Sequence, residues 1–128
     1  MPGSSLWLLP PANSPLDAIL SAQIDTVSKH FHSEHRFLPH VTLTSGISES
    51  TYTPDPQAWL NNLSLPSDVR VKFEKVASED AFVKKLYINV VKDDSVRELG
   101  EAARRTVEDG ERAKAWAKDE YLPHLSLM

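Results

Sequence analysis

The sequence predicts an α+β protein with a mostly antiparallel sheet and helices, and three observations carry that expectation. Two stretches repeat apolar residues at helical spacing, while several shorter runs alternate apolar and polar residues. Two of the alternating runs are joined by a connection too short to hold a crossover, which makes them antiparallel neighbours. No linker or low-complexity segment divides the 128 residues. The element order is β-α-β-(α)-β-β-α-β, and residues 1–128 are expected to form a single domain.

Ser5 to Leu9 is a short apolar run ended by Pro10 and Pro11, as in a strand entering a turn. Ser14 then precedes Pro15, an N-cap followed by proline at the first helical position. Leu16, Ile19, Leu20, Ile24, Val27 and Phe31 follow on one helical face, which fades into the polar stretch from His32 to Arg36. Phe37 to Ile47 alternates, is rich in β-branched residues, and reads as a strand containing His40, Val41 and Thr42. Ser48 to Pro56 is a loop by composition, and Pro56 to Leu63 is expected as a short helix packing Trp59 and Leu63.

Val69, Val71 and Phe73 alternate with Arg70, Lys72 and Glu74, the pattern of a half-buried strand. Leu86, Ile88 and Val90 repeat the pattern after a turn around Ser78 to Ala81, so Val69–Val76 and Leu86–Val91 should pair. Asp94 or Ser95 is placed to cap a helix that carries Val96, Leu99, Ala103 and Val107 on one face. Gly110 reads as its stop, with Ala113 to Ala117 able to resume helically. Tyr121 to Met128 is a final strand.

Composition narrows the function classes. At 41% hydrophobic and 25% charged residues, the chain is an ordinary globular one. No apolar run approaches the roughly 20 residues needed to span a bilayer, and the N-terminal apolar stretch has no basic segment before it, so neither a membrane partner nor a signal peptide is expected. The absence of cysteine excludes disulfides, thiolate metal sites and cysteine nucleophiles, and a cytoplasmic address is expected. A net charge of −4 argues against coating long nucleic acid but not against holding one small anion in a cleft.

The most informative feature is a segment that occurs twice. Residues 37–44 read Phe-Leu-Pro-His-Val-Thr-Leu-Thr, and residues 121–128 read Tyr-Leu-Pro-His-Leu-Ser-Leu-Met. Each has an aromatic, Leu, Pro, His, an aliphatic, a small hydroxyl residue and Leu. In a strand, residues i and i+2 share a face, so His40 projects with Thr42, and His124 with Ser126. The aliphatic neighbours Val41, Leu43, Leu125 and Leu127 face the other way. The proline removes a backbone donor just before each histidine, which suits a strand start or an edge.

Two such strands side by side about a local two-fold would bring two imidazoles and two hydroxyls into one cleft. That set suits in-line displacement at phosphorus: one imidazole takes a proton from water while the other protonates the leaving oxygen. The hydroxyls donate to the non-bridging oxygens, where negative charge accumulates. A lone histidine on a half-buried strand is more often structural than catalytic, but core packing has no need of the same polar pair twice. A zinc site would need more ligands than two histidines supply, and no metal or other cofactor is expected. His30, His32 and His35 form a local cluster that suits the helix C-terminus.

On these residues the chain resembles the 2H phosphoesterases, whose signature is a pair of His-x-Thr/Ser-x motifs flanked by aliphatic residues. His40-Val41-Thr42-Leu43 and His124-Leu125-Ser126-Leu127 match it. Leu6-Trp7-Leu8-Leu9-Pro10-Pro11 and Phe82-Val83-Lys84-Lys85 are similar to segments of the fungal 2',3'-cyclic-nucleotide 3'-phosphodiesterases in particular. The resemblance implies a bilobal 2H fold and metal-independent hydrolysis of nucleoside 2',3'-cyclic phosphates to 2'-phosphates. It also implies opening of the ADP-ribose 1'',2''-cyclic phosphate left by tRNA splicing. By analogy His124 activates water, His40 protonates the 3' oxygen, and Thr42 and Ser126 hold the phosphate. Family members continue past the second motif, so the second lobe is expected to be incomplete here and the last strand to lack neighbours. A monomer is expected, or a chain completed by the missing C-terminal segment or by a partner.

Base recognition is less determined by pattern. Trp7 and Tyr87 are the aromatics expected to stack on a nucleobase, with core or sheet packing as the alternative for each. Phe37 and Tyr121 should pack beside their motifs. Lys84 and Lys85 are placed either to attract phosphate or simply to be solvated. Two other functions remain open: a related enzyme acting on RNA ends, and a module that binds a nucleotide without turning it over.

Overall fold

The computed structural model describes residues 3–78 and 86–128. Lys84, Lys85, the Phe82–Lys85 segment and most of the turn expected around Ser78 to Ala81 lie outside the described residues. The elements run β1 (Ser4–Leu8), α1 (Pro15–His30), β2 (Val41–Ile47), α2 (Glu49–Tyr52), α3 (Pro56–Asn61), β3 (Phe73–Ala77), β4 (Tyr87–Val90), α4 (Asp94–Arg104), α5 (Gly110–Asp119) and β5 (His124–Ser126). The strands form one sheet in the order β1-β2-β5-β4-β3, and the pairs β2–β5, β5–β4 and β4–β3 are antiparallel. This is the α+β architecture expected from the sequence. No helix among the described residues is long and apolar enough to cross a membrane.

The last strand does not lack neighbours. It lies between β2 and β4, so its backbone groups have a ladder on each side. Sequence order hides this, because β5 inserts between strands that precede it by more than 30 and more than 70 residues.

The described residues gather into two compact units. One comprises Leu43–Val71, Lys92–Leu122 and the chain up to Leu6. Its centre is the pairing of α4 with α5, which buries Val96, Leu99 and Ala103 with Ala113 and Ala117. Asp93 caps α4, one residue earlier than expected, its carboxylate accepting the Val96 amide at 3.0 Å and the Ser95 hydroxyl at 2.8 Å. Gly110 is not a stop but the first residue of α5, because Asp109 accepts the Arg112 amide at 2.9 Å as an N-cap. What ends α4 is a turn in which Thr106 donates its hydroxyl to the Ala103 carbonyl at 2.8 Å.

The Tyr121 ring explains a glycine inside α4. A Cβ on Gly100 would stand 2.7 Å from that ring, which is stacked on Trp116 at 4.9 Å. Burial pushes the Tyr121 phenol well above the usual tyrosine range. At the far end of α5, the Lys92 ammonium donates to the carbonyls of Ala117, Lys118 and Tyr121 at 2.9–3.0 Å, supplying donors to groups the helix leaves unsatisfied. Arg104 bonds the buried Thr44 hydroxyl at 3.2 Å and Glu108 at 2.7 Å, and its guanidinium lies 4.7 Å over Trp116.

The other unit comprises Trp7–Thr42, Lys72–Val91 and Pro123–Met128. Helix α1 starts as expected, with the Ser14 hydroxyl accepting the Asp17 amide at 3.2 Å and Pro15 in the first turn. It buries Leu20, Ile24 and Ser28, while Leu16, Ile19 and Phe31 stay exposed, so the buried stripe is narrower than the apolar one. Its end is a Schellman turn: the Ser33 amide reaches the Ser28 carbonyl at 2.8 Å and the His32 amide reaches that of Lys29 at 3.2 Å. His32 occupies the left-handed position at φ 55°, where a side chain costs about 1–2 kcal/mol that glycine avoids. His32→Gly is therefore expected to raise stability by roughly 0.5–1 kcal/mol once the looser unfolded chain is counted, seen as a higher Tm. An unchanged or lower Tm would mean that the imidazole contributes more than the backbone loses.

Strand β3 departs from the half-buried pattern. Phe73 and Val76 are exposed, because a shift of register between them breaks the alternation on an edge strand. Strand β2 begins at Val41 and β5 at His124, later than the expected Phe37 and Tyr121. The prolines account for much of that. Pro123 accepts the Val90 amide at 3.1 Å but has no N–H to return, so the ladder is only half made at that residue.

Candidate active site

Each half of the repeat reaches the site by the same local logic. Pro39 and Pro123 are buried immediately before His40 and His124, and the aliphatic residues that follow, Val41 and Leu125, are buried at 5% and 2% exposure. Anchored on those side chains, the strands turn His40, Thr42, His124 and Ser126 to the opposite face.

The register then does what no single strand can. Val41 stands directly opposite Leu125, so the equivalent residues of the two motifs pair with each other. An antiparallel pairing of equivalents is a local two-fold, and one step either way sets His40 opposite Ser126 and Thr42 opposite His124. Each imidazole thus faces the other motif's hydroxyl, and the two histidines sit on a diagonal where strand positions are roughly 7–8 Å apart. That separation leaves room for one tetrahedral phosphorus between two proton-transferring groups.

A pocket of about 290 Å³ lies over this face, lined by Trp7, Phe37, His40, Thr42, His124 and Ser126. All six belong to the same compact unit. Larger hollows of about 610 and 910 Å³ occur in the other unit, lined largely by exposed charged residues of α4 and α5, several of them ion-paired. Neither is lined by a histidine or by any residue of the repeat, so chemistry and not volume selects the smaller pocket.

His40 is held in two directions. Its Nδ1 bonds the Leu38 carbonyl at 2.6 Å, and since a carbonyl only accepts, Nδ1 carries a proton and Nε2 is the atom free to exchange one. The ring lies flat on Trp7, with centroids 3.7 Å apart and planes within 15°. His124 meets Tyr87 edge-on at 5.4 Å. Trp7 is 47% exposed, whereas Tyr87 is 7% exposed and offers little open ring surface.

Three features escaped the sequence reading. Phe37 lines the pocket as well as packing beside its motif. Trp7 lies against a histidine of the repeat. Asn89 stands directly opposite His124 on β4, on the same face as Tyr87 and Ser126. The alternation along each strand was legible, but register between strands far apart in sequence has no local signal. Tyr121, by contrast, packs within the α4–α5 unit and lines no part of this pocket. Among the described residues, no three His, Asp or Glu side chains gather closely enough to hold a metal ion, and the cluster at the end of α1 is no exception.

The family model for cyclic phosphodiesterase-like proteins matches residues 1–128. The chain belongs to that family. Among curated relatives, it is 54% identical to a 2',3'-cyclic-nucleotide 3'-phosphodiesterase of Phaeosphaeria nodorum, over 100% of this chain and 69% of the relative. A protein of the same name from Neurospora crassa is 38% identical over 100% of this chain and 71% of its own length. One from Yarrowia lipolytica is 30% identical over 98% of this chain and 72% of its own. For a cyclic phosphodiesterase-like protein, a face that carries two imidazoles and two hydroxyls has an evident chemical use. The imidazoles can exchange protons at opposite ends of a displacement while the hydroxyls meet the charged oxygens.

Proposed function

We propose that this chain hydrolyses nucleoside 2',3'-cyclic phosphates to nucleoside 2'-phosphates, with His40 and His124 as the acid–base pair. The observation that carries the reading is the diagonal of two imidazoles and two hydroxyls lining one small pocket, in a chain whose curated relatives bear the name of that activity. His124 takes a proton from water as its oxygen attacks phosphorus. The P–O3' bond breaks in line, and protonated His40 delivers a proton to the departing 3' oxygen. The two imidazoles finish with their protonation exchanged and reset through solvent. Thr42 and Ser126 donate to the non-bridging oxygens as charge builds on them. The same step on ADP-ribose 1'',2''-cyclic phosphate yields ADP-ribose 1''-phosphate, which extends the reading to tRNA-splicing by-products.

The test is hydrolysis of 2',3'-cyclic AMP in the presence of EDTA, with the product isomer identified. Release of the 2'-phosphate is expected. The 3'-phosphate as product would reverse the leaving group, and loss of turnover with EDTA would overturn the metal-free mechanism. Binding of the nucleotide with no product from the folded chain would favour a module that only recognises it. Removing either hydroxyl, Thr42→Ala or Ser126→Ala, is expected to lower kcat about 10²-fold, the usual consequence of losing one donor to a developing oxyanion. A variant that raises KM alone would show that its hydroxyl binds substrate and transition state equally.

A further inference from the structure

We propose that Trp7 is a positioning residue for His40, setting the plane in which that imidazole transfers its proton. The inference rests on the cyclic phosphodiesterase reading and goes beyond it, because Trp7 is assigned to the histidine and not to the nucleobase.

The argument begins with the freedom left to a histidine at the head of a strand. His40 lies one residue before β2, outside the strand itself. An imidazole there has two side-chain torsions to settle. The 2.6 Å bond from Nδ1 to the Leu38 carbonyl restrains one distance and so settles only one of those two freedoms. A second restraint is needed to choose the plane, and the indole supplies it. At 3.7 Å between centroids and 15° between planes, the two rings are in face-to-face van der Waals contact. Together the carbonyl and the indole fix the position of Nε2, the atom left to meet the 3' oxygen.

Strand geometry makes Trp7 available for this. Along β1, Leu6 and Leu8 are half-buried while Trp7 is turned the other way, into the lining of the pocket. The indole thereby stands beside the acid–base diagonal with one face against His40. The other imidazole is treated differently, since the His124 and Tyr87 rings are steeply inclined to each other at 68° and Tyr87 is itself buried. The two-fold of the motifs is thus broken by their aromatic neighbours.

The experiment compares wild type with Trp7→Phe and Trp7→Leu on 2',3'-cyclic AMP and 2',3'-cyclic UMP, with the ring protons of His40 followed by NMR. Trp7→Leu is expected to lower kcat roughly 10- to 100-fold, the scale of a small displacement of a reacting group, with KM within about twofold and the loss equal for both bases. Trp7→Phe should recover most of the rate. The His40 ring protons, shifted upfield by the indole in wild type, should move downfield in Trp7→Leu. A raised KM with unchanged kcat, larger for the purine, would assign Trp7 to the base and overturn the inference. An unchanged His40 spectrum in Trp7→Leu would overturn it as well. Wild type that turns over neither nucleotide removes the reading beneath it, whereas active wild type with a fully active Trp7→Leu variant defeats this inference alone.

Discussion

His40→Ala and His124→Ala are each expected to lower kcat/KM for 2',3'-cyclic AMP by roughly 10³- to 10⁴-fold, the upper range for removing a positioned general acid or base. The double variant should cost little more than either single one, because an acid and a base that act in one displacement work as a unit. Both side chains are half-exposed at the pocket, and the anchors beneath them, Val41 and Leu125, remain in place. The variants should therefore fold, which circular dichroism and Tm would check. A folded variant retaining activity within tenfold of wild type would remove that histidine from the acid–base pair. Additive losses in the double variant would argue that the two act in separate steps.

Leu125→Ala should be the costliest change to the fold of the site. Leu125 is 2% exposed, sits mid-strand in β5, and stands opposite Val41 on one side and Ile88 on the other. Truncation leaves a cavity under the strand that carries His124 and Ser126, at a cost of about 2–5 kcal/mol. Against the 5–15 kcal/mol typical of a domain, that is a large share. Urea denaturation of Leu125→Ala beside wild type measures it. Activity lost in proportion to unfolding would identify the damage as structural. A loss below about 1 kcal/mol would mean that the anchoring role given to Leu125 is wrong.

Helix α1 was legible almost to the residue, since Ser14-Pro15 is a local start signal and its apolar period runs over four turns. Helix α4 was legible in its body but not at its ends. The cap was expected at Asp94 or Ser95, and only the folded backbone shows that the Asp93 carboxylate reaches the Val96 amide. Gly110 was misread because glycine is common at helix ends and its alternative, a start capped by Asp109, depends on where the chain turns after Thr106. The alternation of half-buried Val69 and Val71 with exposed Arg70 and Lys72 holds, but the strand begins only at Phe73, and there, on an edge strand with an irregular register, the pattern is lost.

For the candidate site, the chain by itself determined which groups are present and which way they point. A repeat of Pro-His-aliphatic-hydroxyl sets one imidazole and one hydroxyl on the same face of a strand, because the period of two is a property of the backbone. What only the tertiary structure decided is how those faces meet. The pairing of Val41 with Leu125, the diagonal it makes of the histidines, and the indole against His40 all join residues more than 30 positions apart. Local stereochemistry is encoded in neighbours along the chain, whereas register is chosen by whichever pairing buries the aliphatic face of both strands at once. That choice belongs to the folded sheet as a whole.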